Sequence, residues 1–269
     1  MRVMSALAGL TVGITAERRA DQQARFLRSR GALVRHVPVI RTVNFAERPE
    51  LARATESMIA APPDILVIQT GQGLRWWLRA IGDQRAEDLV VALHHTEIWC
   101  RGIKATSACR KVGLQVDWQA STETTLEVKA RLAATELYDL SLVVQADGND
   151  IDWGSCTDGV ASLVEVDLYG YQLPDDATPA VELIDDVISG NVGAVTFTAS
   201  PAIRHLRQIA QDSDRLDALD SAFNEECLAA VVGPVCADTA RTAGWANVIE
   251  PPTARLIPML EALHDRVAG

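Results

Sequence analysis

DILVIQTGQGLRWWLRAIG, Asp64 to Gly82, has the same build as GAVTFTASPAIRHLRQIAQ, Gly193 to Gln211. Each is an apolar run of strand length, then a corner of small or polar residues, then an amphipathic helical pattern. In the second copy Ala194, Val195 and Phe197 read as strand. Thr198 and Ser200 can cap backbone amides, and Pro201 suits a first helical position. Such a corner directs unsatisfied N–H groups outward, where they attract anions. One corner alone says little, because every α/β protein has several and most simply cap a helix.

The order of phrases says more. RGIKATSACRKVG and VGPVCADTARTAG each place a glycine after a strand and a second glycine past a short helix, Gly102 to Gly113 and Gly233 to Gly244. A helix with a polar start follows each, in STETTLEVKARLA and PPTARLIPMLEAL. The opening unit, GITAERRADQQARFLRSRGALVRHVPVIRTV, corresponds to VVQADGNDIDWGSCTDGVASLVEVDLYGYQLP, with Gly31 to Arg41 matching Gly159 to Tyr169 in spacing. Three matches in the same order point to a duplicated α/β architecture. Between them, strand-like runs (LTVGI, ALVRHVPVI, DILVIQ, TEIWC, LSLVVQ, SLVEVDLYGYQL, GAVTFT, LAAVVG) alternate with helical patterns. That alternation implies parallel sheets covered by helices on both faces.

Bulk properties narrow the function. The 269 residues are 48% hydrophobic, enough for one large or two small cores, and 36 acidic against 25 basic residues leave a formal charge of −11. This balance argues against nonspecific binding to nucleic acid or an acidic membrane. Met1 to Gly13 lacks a signal-peptide pattern, and no apolar run reaches membrane-spanning length, so a cytoplasmic protein is expected. The five cysteines are odd in number, scattered and without a C-x-x-C pair, which fits reduced thiols better than disulfides or a zinc site. His94 and His95 are adjacent and read as a solvated helix end, not a metal pair. Trp76 and Trp77 read as core or interlobe packing, and DDATPAVELIDD as an amphipathic surface helix.

Duplicated halves suggest a cleft lined by corners from both lobes. The Ser200 corner, the Thr70-Gly71-Gln72-Gly73 corner and the helix starts at Gly102 and Gly233 would offer amides to a ligand with several carboxylates or phosphates. GQG lacks the third glycine of the dinucleotide fingerprint and no P-loop is present, so nucleotide binding has no support. Arg41 could meet a carboxylate, although a surface arginine is the commoner case.

Taken in order, GLTVGITAERRADQQARFLRSRGALVRHVPVIRT, VIQTGQGL, RGIKATSACRKVG, VDLYGYQLP, TFTASPAI, VVGPVCADTARTAG and PPTARLIPMLEAL resemble the uroporphyrinogen-III synthase family across nearly the whole chain. RGIKA with VDWQASTETTLEV is similar to an actinobacterial branch whose members often carry an added C-terminal winged-helix DNA-binding domain. The chain stops at Gly269 without one, either as a standalone member or as a truncated one. The resemblance implies two flavodoxin-like lobes with parallel sheets joined by a two-stranded antiparallel linker. Mapped here, residues 1–41 plus 171–269 form a discontinuous lobe and residues 42–170 the second, with crossings near Arg41 to Val43 and Tyr169 to Tyr171.

The implied chemistry is cofactor-free closure of linear hydroxymethylbilane by a monomer, with no metal, membrane or nucleic-acid partner. Its most discussed side chain is a tyrosine on the second crossing strand, assisting departure of the terminal hydroxyl. Two residues compete for that place: Tyr171 fits the following Y-Q and its distance to Thr198, while Tyr169, the favoured one, fits V-x-[VL]-Y and the spacing from Gly159 within one residue. A phenol is protonated at neutral pH and can donate to a leaving oxygen. The bland alternative is aromatic packing at a hinge. Substrate-binding positions implied are Thr15, Arg41, Thr70, Gly71, Gln72, Gly73, Gly102, Lys104, Thr198, Ala199, Ser200, Gly233 and Pro234.

Three departures weaken the enzyme reading, and the acidic one, with the branch resemblance, supports a second function, a weak or inactive tetrapyrrole- or polycarboxylate-sensing domain of a transcriptional regulator. An arginine-glycine pair is replaced by the acidic QADGND, with Asp147 and Asp150. Ala105 and Cys236 stand where the family often has threonine, with Lys104 and Thr106 as compensation in one half.

Overall fold

The computed structural model describes residues 6–45, 48–146 and 151–269. By its contacts the chain divides into two compact units, Met1–Arg41 with Gln172–Gly269, and Thr42–Tyr171. The first unit opens with β1 (Thr11–Ile14), α1 (Ala20–Ser29) and β2 (Leu33–His36), and the chain leaves it through β3 (Arg41–Asn44). The second unit runs α2 (Pro49–Ala60), β4 (Ile65–Ile68), α3 (Gly71–Ile81), α4 (Asp83–Ala92), β5 (Glu97–Cys100), α5 (Ile103–Lys111), β6 (Trp118–Gln119), α6 (Thr125–Ala133), β7 (Ser141–Ala146) and β8 (Ser162–Asp167). The return crossing is β9 (Tyr169–Gln172), paired with β3 as a small antiparallel sheet. The first unit then closes with α7 (Thr178–Ile188), β10 (Ala194–Phe197), α8 (Ser200–Asp212), α9 (Leu216–Glu225), β11 (Leu228–Val231), α10 (Pro234–Thr242), β12 (Val248–Ile249) and α11 (Leu256–Ala268).

Each unit holds a five-stranded sheet, ordered β2-β1-β10-β11-β12 in the first and β8-β7-β4-β5-β6 in the second, parallel throughout. The repeated phrases occupy equivalent places: β10 with α8 and β4 with α3 at the sheet centre, β11 with α10 and β5 with α5 beside them. The second unit is the same sheet circularly permuted, because its counterparts of β1 and β2, namely β7 and β8, come last in the chain. Gly113 and Gly244 end the equivalent helices α5 and α10 in the left-handed region, φ +89° and +87°. Only glycine adopts that backbone freely, which accounts for its place in both copies.

Strand β4 shows why the apolar runs fold as they do. Leu66 and Ile68 belong to one buried cluster with Leu74, Trp77 and Ile98, while Ile65 and Val67 belong to another with Trp99, Val128, Leu132 and Trp153. Alternate residues point to opposite faces, and both faces are covered, so the strand is apolar at every position. In the first unit Val12, Ile14 and Ala24 pack with Met259, Leu260 and Leu263 of α11. Elsewhere in this unit the rings of Phe197, Phe223 and Trp245 form a cluster, with Phe223 and Trp245 stacked at 3.9 Å.

Two of the expected strands differ. Only Leu33–His36 of ALVRHVPVI is strand, and Val37, Val39 and Ile40 are a buried connection. SLVEVDLYGYQL is two strands, β8 and β9, interrupted at Leu168 where the chain leaves one sheet for the crossing. The five cysteines are free and buried. Trp77 is fully buried and donates to Thr55 Oγ1 at 2.9 Å, whereas Trp76 is partly buried. His94 and His95 are exposed and stacked at 5.1 Å. Among the described residues no helix is long and apolar enough to cross a membrane.

Candidate functional site

In a doubly wound sheet, ligands collect at the carboxyl ends of strands where the connections diverge to the two sides. That point lies between β1 and β10 in the first unit and between β7 and β4 in the second. At the first, Thr15 follows β1, Thr198, Ala199 and Ser200 follow β10, and Gly233 and Pro234 follow the neighbouring β11. At the second, Thr70 to Gly73 follow β4, while Gly102 and Lys104 follow β5. The corner residues named from sequence therefore gather on one edge of their own sheet in each unit.

Their chemistry differs from the sequence expectation, because much of the hydrogen-bonding capacity is already used. Thr15 is fully buried and donates to the Thr196 carbonyl at 2.7 Å, tying β1 to β10. Its counterpart in the permuted unit is Gln145, also fully buried, whose Oε1 accepts from Thr70 N at 3.0 Å. A buried polar group needs a partner, and here the corner backbone supplies it. Sequence reading passed over Gln145; the signal was a lone carboxamide at the end of the otherwise apolar SLVV. Thr70 caps α3, its Oγ1 accepting from Gly73 N at 3.0 Å.

Close approach explains the two glycines of this corner. A Cβ at Gly71 would stand 2.2 Å from the Lys104 carbonyl oxygen, and one at Gly73 would stand 2.5 Å from Gln145 Nε2. Gln72 is half-buried and accepts from Arg75 at 3.0 Å, and Lys104 is exposed.

In the other unit the cap of α8 is Ala199, not Thr198 or Ser200; Ser200 is the first helical residue and Pro201 the second. The Ser200 hydroxyl is turned to Cys236 Sγ at 3.7 Å, so it cannot cap its own helix. Burial pushes the Cys236 thiol up to about 11, so it stays neutral. Pro201 and the exposed Pro234 each remove a backbone donor from the first turn of α8 and α10. Further along α8 and α10 lies an open hollow of ≈ 570 Å³, lined among others by Arg204, Arg207 and Thr239.

The glycine caps of α5 and α10 are alike in backbone and unlike in charge. A Cβ at Gly233 would meet Ala254 Cβ at 2.6 Å, whereas one at Gly102 would meet Glu123, with Oε2 at 3.1 Å. A carboxylate of the protein thus sits beside the Gly102 corner. The next helix, α6, is capped by Thr124, whose Oγ1 accepts from Glu127 N. The Glu127 carboxylate in turn accepts from Thr122 N at 2.6 Å and Ser121 N at 2.9 Å. The Thr122 hydroxyl and these amides hold it down to about 2.

At the crossings, Arg41 is engaged within its own unit, donating to Gln172 Oε1 at 3.0 Å and pairing with Asp175 at 3.1 Å. Tyr169 is 8% exposed, set edge-on against Trp76 at 5.4 Å and Tyr171 at 5.9 Å. Tyr171 is half-buried. Gly170, between them, faces the other way, and a Cβ there would lie 2.6 Å from the Phe45 ring. Asp147 and Asp150 lie outside the described residues. Among the described residues no group of His, Cys, Asp or Glu is arranged to hold a metal ion.

The fold and these corners define a two-unit α/β protein built from two doubly wound parallel sheets with paired crossing strands. The profile of the uroporphyrinogen-III synthase (HemD) family matches residues 21–261, and the chain belongs to that family. A mutant uroporphyrinogen III synthase from the extreme thermophile Thermus thermophilus shares the fold, with a TM-score of 0.77 at 21% identity, covering 96% of this chain and 98% of that one. The wild-type protein from the same organism gives 0.63 at 24% identity over 96% and 100% of the two chains. An uncharacterized protein of Bacillus subtilis strain 168, YjjA, is 25% identical over 269 residues, 96% of each chain.

Proposed function

We propose that this chain is a uroporphyrinogen-III synthase, closing hydroxymethylbilane to uroporphyrinogen III with loss of water and inversion of ring D. The family match over residues 21–261 carries the reading. The substrate is a flexible polycarboxylate, and hydrogen bonds to ionised oxygens both bind and orient such a chain. Backbone at Gly71 and Gln72, at Gly102, at Ala199 to Ser200 and at Gly233, with the Lys104 ammonium, takes up the carboxylates. A crossing-strand phenol, Tyr171 or Tyr169, donates to the departing hydroxyl oxygen. The terminal pyrrole-methylene left behind is attacked by a carbon of the last ring, and rearrangement followed by proton loss closes the inverted macrocycle. In this reading the enzyme works in the cytoplasm as a monomer and needs no cofactor.

The test is direct. The protein is incubated with enzymatically generated hydroxymethylbilane, the products are oxidised, and the isomers are separated. Predominant type III product supports the reading, and only the spontaneous type I isomer overturns it.

A second reading, a non-catalytic sensor of the same class of ligand, is favoured by one observation. Ala105 and Cys236, in the family's threonine positions, are 2% and 4% exposed and bring no hydroxyl to the corners. Saturable binding of a polycarboxylate without turnover is its signature.

A further inference from the structure

The cation presented at the crossing strands is not the one the sequence nominates. Arg41 is committed to Asp175 and Gln172. Arg48 has no carboxylate partner among the described residues, yet it is held in place: its guanidinium carbon lies 3.4 Å from the centroid of the Phe45 ring. Phe45 is itself fixed from two sides. Its N–H donates to the Leu168 carbonyl at 2.9 Å, extending the pairing of the crossings beyond Asn44. Its ring also covers Gly170, where a Cβ would come within 2.6 Å of Cζ and 2.8 Å of Cε2. Glycine at 170 leaves room for the end of the ring against the strand, on the face opposite Tyr169 and Tyr171.

Stacking on an aromatic ring leaves the edge of a guanidinium free, and that edge carries the paired N–H donors that match a carboxylate. It also removes part of the side-chain entropy an exposed arginine would otherwise lose on binding. In a protein of formal charge −11, a cation held on a ring and without a carboxylate partner among the described residues is a place where an anionic ligand is drawn.

We propose that Arg48, stacked on Phe45 over Gly170, binds a substrate carboxylate whose side arm passes round the edge of the crossing strands to the face opposite the phenols, with Phe45 as its positioning residue. The inference rests on the proposed function for the identity of the substrate, but the ligand class it requires is only a polycarboxylate. It assigns Arg48 to binding and not to bond breaking, so its loss raises KM and leaves kcat nearly unchanged.

Two measurements test it. In the cyclisation assay, Arg48→Gln raises KM about tenfold, the loss expected for one charge-assisted pair. It also flattens the dependence of KM on ionic strength. Arg48→Lys recovers part of the loss, and Phe45→Leu falls between wild type and Arg48→Gln. Independently of turnover, uroporphyrin III, an octacarboxylate, is titrated against tryptophan fluorescence, and Arg48→Gln weakens its binding by a similar factor. Unchanged KM, probe affinity and salt dependence in Arg48→Gln overturn the inference. So does a fall in kcat with KM unchanged, which assigns Arg48 a role other than binding. If wild type makes no type III isomer but Arg48→Gln still weakens probe binding, the proposed function falls and this inference stands.

Discussion

Replacing Gly71 by alanine is the most direct test of how α3 and α5 are packed. The added Cβ would stand 2.2 Å from the Lys104 carbonyl oxygen, 3.0 Å from its carbon and 3.1 Å from Ala108 Cβ. Ordinary contact begins at roughly 3.5 Å, so the two helices must part by roughly 1 Å, and the obstacle is backbone that cannot swing aside. Overpacking of this kind costs about 1–3 kcal/mol, and the better helix propensity of alanine returns less than about 1 kcal/mol. A net loss of about 2 kcal/mol lowers the melting temperature by roughly 4–10 °C. Intrinsic fluorescence is a suitable probe, because five of the six tryptophans (76, 77, 99, 118 and 153) lie in the unit being strained. Ser200→Ala is the control at the equivalent position, where a side chain is already seated, and it should shift the melt far less. A Gly71→Ala protein that melts within about 1 °C of wild type refutes the close packing of α3 on α5.

Three further outcomes are expected. Glu127→Gln destabilises the protein at neutral pH. The Glu127 carboxyl is depressed to about 2 in the fold, so its contribution is full above the ordinary glutamate range and is lost as pH falls toward 2; the gap in melting temperature between the two proteins should narrow across that window. Thr70→Ala removes the cap of α3 at a cost of about 1 kcal/mol and speeds hydrogen exchange at the Gly73 amide, which loses its acceptor. In the isomer assay Tyr171→Phe slows type III formation by about a hundredfold, the lower range for loss of a general acid, while Tyr169→Phe, with its ring buried against Trp76, has the smaller effect on kcat.

Local features of the fold were readable because each is dictated by neighbouring residues. The apolar run, corner and helix of 64–82 and 193–211 became β4 with α3 and β10 with α8. DDATPAVELIDD became α7, burying Ala180, Leu183, Ile184 and Val187 along one stripe. What could not be read depends on partners far along the chain. Thr15 looked like a ligand-binding hydroxyl until its acceptor, the Thr196 carbonyl, was in view. Gly71 and Gly73 looked like part of a corner offering amides to a ligand, yet their lack of a side chain makes room for Lys104 and Gln145. Arg41 and Arg48 are equivalent in one dimension; only Asp175 and the Phe45 ring separate a committed guanidinium from an available one.

The route of the chain also shapes its synthesis. Strand β1 lies in the middle of its sheet between β2 and β10, but Thr15 and its acceptor Thr196 are 181 residues apart. At roughly 5–20 residues per second, a ribosome takes about 10–40 s to make the partner after β1 has been made. During that interval the continuous segment Thr42–Tyr171 can fold while the hydrogen-bonding edge of β1 that β10 will cover waits unpaired. The nascent protein therefore assembles from the inside of its sequence outward, and β1 with α1 is the stretch a chaperone would be expected to shield.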